Sequence, residues 1–83
     1  WVRTSSSTPV AVNMVMNQND ARGNRFTTLK SVQVADEWTW IEGYYLYDLN
    51  GTLTTLNLYF AGPPAGVDLF VDDVSLSVFD TVA

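Results

Sequence analysis

Between positions 10 and 17 the chain alternates strictly. Val10, Val12, Met14 and Met16 fall on one side of an extended backbone, and Ala11, Asn13, Val15 and Asn17 fall on the other. A period of two belongs to a β-strand, whose successive side chains point to opposite faces. No window of the chain carries apolar residues at the 3.6-residue spacing of an amphipathic helix, and β-branched and aromatic residues dominate. The chain is therefore restricted to β architecture, and the remaining question is how many strands it builds and what they carry.

The same reading divides the rest of the sequence. A first strand ends near Trp1-Val2-Arg3, and the Ser/Thr run at 4–8 connects it to the alternating segment. Residues 17–24 are polar and contain Asp20 and Gly23, which predicts a hairpin connection or short loop. Phe26 to Val34 is rich in Thr and Val and reads as a strand. Trp38 to Tyr47 reads as another, followed by the Asn50-Gly51 step that favours a type I′ hairpin turn. The returning strand, 52–60, puts Leu56, Leu58 and Phe60 on one face and Asn57, Tyr59 and then Ala61 on the other. Gly62-Pro63-Pro64-Ala65-Gly66 must be a loop, because Pro cannot donate to a ladder. In the last strand Val67, Leu69 and Val71 are in one phase and Val74, Leu76 and Val78 in the other. A β-bulge or bend is expected where the phase flips, at Asp72-Asp73. Short strands at regular spacing with turn signals between them predict an all-β fold, an antiparallel β-sandwich of the jelly-roll kind.

Chemistry is limited by what is missing. The 83 residues contain no Cys and no His, which excludes disulfides, thiol nucleophiles, the Ser-His-Asp triad and thiolate or imidazole metal sites within the chain. Only carboxylates remain for acid–base work. Glu37, Glu42, Asp72 and Asp73 show no spacing that singles out a glycosidase pair, so the chain is expected not to be an enzyme. Four Lys and Arg stand against nine Asp and Glu, a formal net charge of -5, and such a surface repels nucleic acid. No apolar run reaches the ~20 residues of a membrane-spanning helix. Asn50-Gly51-Thr52 is an N-glycosylation sequon at a turn, so Asn50 is a candidate glycosylation site.

Read in order, the segments WVRT, VNMVMNQNDARGNRF, EWTWIEGYY, LNLYF, GPPAG and VDLFVDDVSL resemble the C-terminal portion of carbohydrate-binding modules of the family 4/9 and family 22 type. The resemblance covers nearly the whole chain. It implies one module-like β-sandwich over residues 1–83 that lacks the N-terminal strands of the complete module. It further implies an extracellular protein whose linked domains include glycan-degrading enzymes, with xylan or β-glucan as the polysaccharide partner and a structural calcium ion (Ca2+).

Residue by residue, Phe26 stands where a family 22 Tyr contacts ligand, and Ala61 stands where a Glu contacts xylan, so the chain departs from the xylan-binding pattern at both positions. Asn57 and Tyr59 share the face of Ala61 and are the remaining candidates there, with Arg25 as a hydrogen-bonding candidate beside Phe26. Trp38 occupies a position that packs structurally in the family, which predicts a core residue. Trp40 stands where the family pattern is polar and is the candidate for an exposed aromatic platform. Asp72 matches a calcium-binding Asp. The expected role is non-catalytic polysaccharide binding. The alternative is a structural β-sandwich subunit of an extracellular fibre or surface layer that self-assembles with neighbouring chains.

Overall fold

The computed structural model describes residues 1–77. Five strands, all paired antiparallel, make two sheets. β1 (Val2–Thr4) pairs with β5 (Leu69–Val71), while β2 (Val10–Asp20) lies between β3 (Gly23–Val34) and β4 (Thr55–Ala61). The alternation at positions 10–17 is thus the central strand, and its two faces have separate fates. Val12 and Met14 point to the core, where they join Val2, Val34 and Ile41, with Leu29, Val32, Phe60 and Leu69 packed at the margin. Val2 and Leu69 bring the β1–β5 pair down on that face. Two layers meet there, which makes the domain an antiparallel β-sandwich.

Backbone and hydroxyl hydrogen bonds tie the layers at one end. The Thr4 N–H donates to Ala35 O at 2.7 Å, and the buried Thr4 Oγ1 donates to Val34 O and Ala35 O at 3.3 and 3.1 Å. Burying this hydroxyl is tolerable because its hydrogen bonds are made inside.

Several elements differ from the expectation. Residues 17–20 are not loop; the strand runs on to Asp20 and the turn is confined to Ala21 and Arg22. Their polar side chains sit in a strand because the fold supplies partners for them, as described below. The segment 38–47 joins no named strand; a single bridge, Val2 to Thr39, attaches its start. Ile41 is buried and Gly43 and Tyr45 are half-buried, whereas Trp40, Glu42, Tyr44 and Leu46 are exposed. The strand-like alternation is therefore kept, and the chain is laid over the core face of β2 and β3. Gly43 permits this close approach: a Cβ there would lie 2.8 Å from Leu29 Cβ and 3.3 Å from Met14 Sδ. Trp38, expected in the core, is 46% exposed.

The Asn50-Gly51 step does have positive φ at Gly51, but it closes no hairpin between 38–47 and the next strand. β4 pairs with β2 instead, Met16 opposite Leu58 and Val15 opposite Tyr59. The irregularity expected at Asp72-Asp73 is a bend at the end of β5, with Asp73 at φ 59°; Val78 lies outside the described residues. The sandwich's bulge is elsewhere. Met14 faces Lys30 and Val15 faces Thr28, which leaves Leu29 without a partner in the register and free to pack on the core.

The second layer covers only part of the three-stranded sheet. Leu56 and Leu58 of β4 stay 43% and 39% exposed, so among the described residues the sandwich is incomplete.

Gly62, just after β4, has φ 82°, and a Cβ there would sit 2.5 Å from the backbone oxygen of Ala11. Neither the torsion nor the contact can relax without moving β2. Gly62→Ala is expected to destabilise the fold by about 1–3 kcal/mol, read as a lower urea midpoint at unchanged slope; an unchanged midpoint would contradict this packing.

Candidate functional site

The face of β2 that points away from the core carries a different chemistry. Cross-strand neighbours share a face, so the register assembles rows of three across β3, β2 and β4. Phe26, Asn17 and Asn57 make one row, Thr28, Val15 and Tyr59 the next, and Ser31, Asn13 and Ala61 a third. Neighbouring strands lie about 4.8 Å apart and successive rows about 7 Å apart. Phe26 and Tyr59 thus flank β2 on opposite sides and one row apart. Phe26 is 62% exposed and Tyr59 38% exposed. Asn17 between them is buried, and its Nδ2 donates to Asn24 Oδ1 at 2.5 Å and to Arg25 O at 3.1 Å. That amide is fixed before any ligand arrives. Two exposed aromatic side chains bracketing a mostly polar strip, Asn13, Val15 and Asn17 of β2, can pack on sugar rings and hydrogen-bond their hydroxyls. Of the residues expected at a glycan site, the structure brings Phe26, Asn57 and Tyr59 together.

Arg25 and Trp40 lie elsewhere. Arg25 is the cross-strand neighbour of Gln18 on the opposite face, where its Nη2 donates to Asp20 Oδ2 at 3.2 Å. Trp40 meets the edge of Trp1, ring centroids 5.2 Å apart at 69°. Asn50 is exposed in the loop before β4, where its backbone is bonded while its side chain stands at the surface.

The polar end of β2 is a network that sequence reading does not separate from an ordinary loop. The buried carboxylate of Asp20 accepts from Arg22 Nη2 at 2.9 Å, Gln18 Nε2 at 3.1 Å, Arg25 Nη2 at 3.2 Å, and the backbone N–H groups of Arg22 and Asn50 at 2.9 and 3.2 Å. Gln18, fully buried, also donates to Asp48 O at 3.0 Å and accepts from the Tyr45 hydroxyl. Arg22 continues to Asp48, through Oδ2 at 3.1 Å and through the carbonyl oxygen. The Arg22 guanidinium hydrogen-bonded to Asp20 holds its carboxyl well below the usual carboxylate range. Burial opposes this, and the Arg22 and Asn50 N–H groups reinforce it. The same hydrogen bond to Asp20 raises Arg22. Only a pattern of clustered polar residues marks this site in the sequence, and that pattern also describes turns.

Asp72, the residue matched to a calcium ligand, is exposed at the end of β5; its N–H donates to Trp1 O at 3.0 Å, and its carbonyl oxygen accepts from Trp1 N at 3.1 Å. Among the described residues no group of three or more Asp or Glu is placed to hold a metal. Calcium takes six to eight oxygens, and Asp72 with its neighbour Asp73 does not furnish such a set. The residues present do not by themselves fit the ion.

Comparison with known proteins gives two relatives. The chain is 35% identical over 72 residues, 84% of its length, to a protein named exoglucanase XynX from Acetivibrio thermocellus. It shows the same identity over the same length to endo-1,4-beta-xylanase A from Thermoanaerobacterium saccharolyticum. In each case it spans only 6% of the relative. The resemblance therefore holds at a coarser level than a module family: the chain is similar to a small part of two proteins named as polysaccharide-degrading enzymes. No family model matches the chain, and no solved structure matches it significantly.

Because Asp20 is depressed from its ordinary 3.8, it stabilises the fold in full above that value, and the contribution is lost as pH falls through it towards the folded value. Denaturation at about pH 6 and about pH 3 is expected to show a loss of stability on acidification in the wild type, the first part of the Asp20 contribution. Asp20→Asn is expected to be less stable at the higher pH and flatter between the two. An equal pH dependence in both proteins would remove Asp20 from this role.

Proposed function

We propose that the chain is a non-catalytic module that holds an extracellular protein on a polysaccharide of the xylan or β-glucan class. The observation that carries the reading is the open sheet face on which Phe26 and Tyr59 flank a strip of Asn17 and Asn57. Similarity to part of an exoglucanase and part of a xylanase supports the same partner. A short aliphatic residue, Ala61, continues the face beside Tyr59, so recognition there rests on ring packing and amides, with no carboxylate in the row. This favours neutral glucan or unsubstituted xylan backbones over a site keyed to one charged contact.

The placement of the carboxylates supports the tethering reading. Asp20, the most perturbed carboxylate, is held by two arginines and two backbone N–H groups on the opposite face. It serves structure, and among the described residues the three rows of the Phe26–Tyr59 face hold no pair of carboxyls that could flank a glycosidic bond.

Affinity electrophoresis through gels containing xylan or mixed-linkage β-glucan is the test. Retardation is expected for the full chain. Tyr59→Ala or Phe26→Ala is expected to weaken it by about tenfold, equivalent to roughly 1.4 kcal/mol per lost ring contact. Asn57→Ala is expected to weaken it less, by about threefold. Absence of retardation in every gel, or retardation that both aromatic variants leave unchanged, would overturn the assignment of this face.

A further inference from the structure

All three tryptophans gather off the Phe26–Tyr59 face, around the β1–β5 pair, and none is buried: Trp1, Trp38 and Trp40 are 44%, 46% and 53% exposed. The core does not use them in the way it uses Val2 and Leu69. Between Trp1, Trp38, Asp72 and Asp73 lies an open cavity of about 370 Å³, within the range of small-molecule sites, about 300–1,000 Å³. We infer that this cavity is a second carbohydrate subsite, which takes a single neutral pyranose unit between the Trp1 and Trp38 rings with Asp72 and Asp73 accepting hydrogen bonds from its hydroxyls.

Four observations converge on it. Each aromatic wall is held by another side chain: Trp1 by the edge contact with Trp40, and Trp38 by the Arg3 guanidinium 5.2 Å from its ring centroid. Arg3 is itself fixed against Phe70 at 4.4 Å, so the platform is ordered before a ligand arrives. The backbone at the cavity is doubly bonded, Asp72 N–H to Trp1 O and Trp1 N to Asp72 O, which fixes the start of the Asp72-Asp73 step beside Trp1. Asp73 is the only non-glycine residue with positive φ among the described residues, at 59°. Such a torsion costs on the order of 1 kcal/mol, and it falls where the chain turns beside the cavity that Asp72 and Asp73 both line.

The ligand class follows from charge. Two carboxylates disfavour uronates and phosphates, while the Arg3 cation already placed on the Trp38 ring disfavours a cationic ligand against the same wall. A neutral ring with apolar C–H faces and a hydroxyl rim satisfies both constraints. The inference rests on the glycan reading above and adds a subsite to it.

Tryptophan emission reports this cavity and not the Phe26–Tyr59 face, which holds no Trp. Titrating the full chain with free xylose, glucose and their β-linked oligomers is expected to change the emission. Asp73→Asn keeps all three indoles and tolerates positive φ, and it is expected to weaken the response at least tenfold; Trp38→Phe removes it. Circular dichroism of both variants checks the fold. Tyr59→Ala is expected to leave the response intact while reducing gel retardation. A response that Asp73→Asn and Trp38→Phe both retain, or no response to any sugar, overturns the second subsite even where retardation holds. A response to calcium chloride but to no sugar makes the carboxylates a metal site and overturns it equally. Retardation that is insensitive to Tyr59→Ala but lost in Asp73→Asn would move glycan binding to this cavity alone.

Discussion

Everything in this small fold depends on the double pairing of β2. One strand gives its ladder bonds to β3 on one side and β4 on the other, and its period of two sends alternate residues into two unlike environments. Val12 and Met14 build the core. One residue out of step, Asn13, Val15 and Asn17 build an open face. A slip of one residue would exchange the two sets, so the buried Val12 and Met14 fix the position of the polar strip as firmly as they fix the core. Packing on one side sets the geometry of the face on the other.

The strand's far end needs a different kind of support, because Gln18 and Asp20 lie on the core side yet are polar. Their burial is tolerable because the flanking segments of the same chain bring donors and acceptors to them: Arg22, Arg25, Tyr45, Asp48 and the Asn50 N–H. The network costs the molecule desolvation of a carboxylate and in exchange anchors the long connection between β3 and β4, which has no ladder of its own. This explains why the Asn50-Gly51 step closes no hairpin. The Asp20 carboxylate captures Asn50, and the bonds from Ala21 to Asn50 and from Thr54 to Asn19 carry the chain past the tip of β2 and into pairing with it.

How much of this can be read from the sequence depends on the range of the interaction. Alternation is local, and it identified the central strand, the two faces of β4, and the grouping of Asn57 with Tyr59. The polar run at 17–20 is misread as loop because its partners are up to 30 residues away. Trp38 is misplaced in the core because the resemblance carries over a position in the pattern and not its surroundings, and here its neighbour is Arg3. Phe26 and Tyr59 each stand out as aromatic, but their joining on one face depends on registers that no single strand contains. The acidic pair at 72–73 announces an irregularity through its phase change, yet the cavity it faces is formed with Trp1, the most distant residue along the chain.

The unmatched Leu29 has one more consequence. Ahead of it, even-numbered residues of β3 face solvent, Phe26 and Thr28; beyond it, odd-numbered ones do, Ser31 and Gln33. The strand is written in two reading frames joined at a single residue. Exchanging one side chain for another in either frame alters only its own surface, and so the aromatic at 26 can drift in identity without disturbing the interior. Adding or losing one residue between 26 and 29 is a different event, since it would turn the ring at 26 inward and a small polar group outward. Divergence along this strand is therefore open to substitution and closed to changes of length, the reverse of what a surface loop permits.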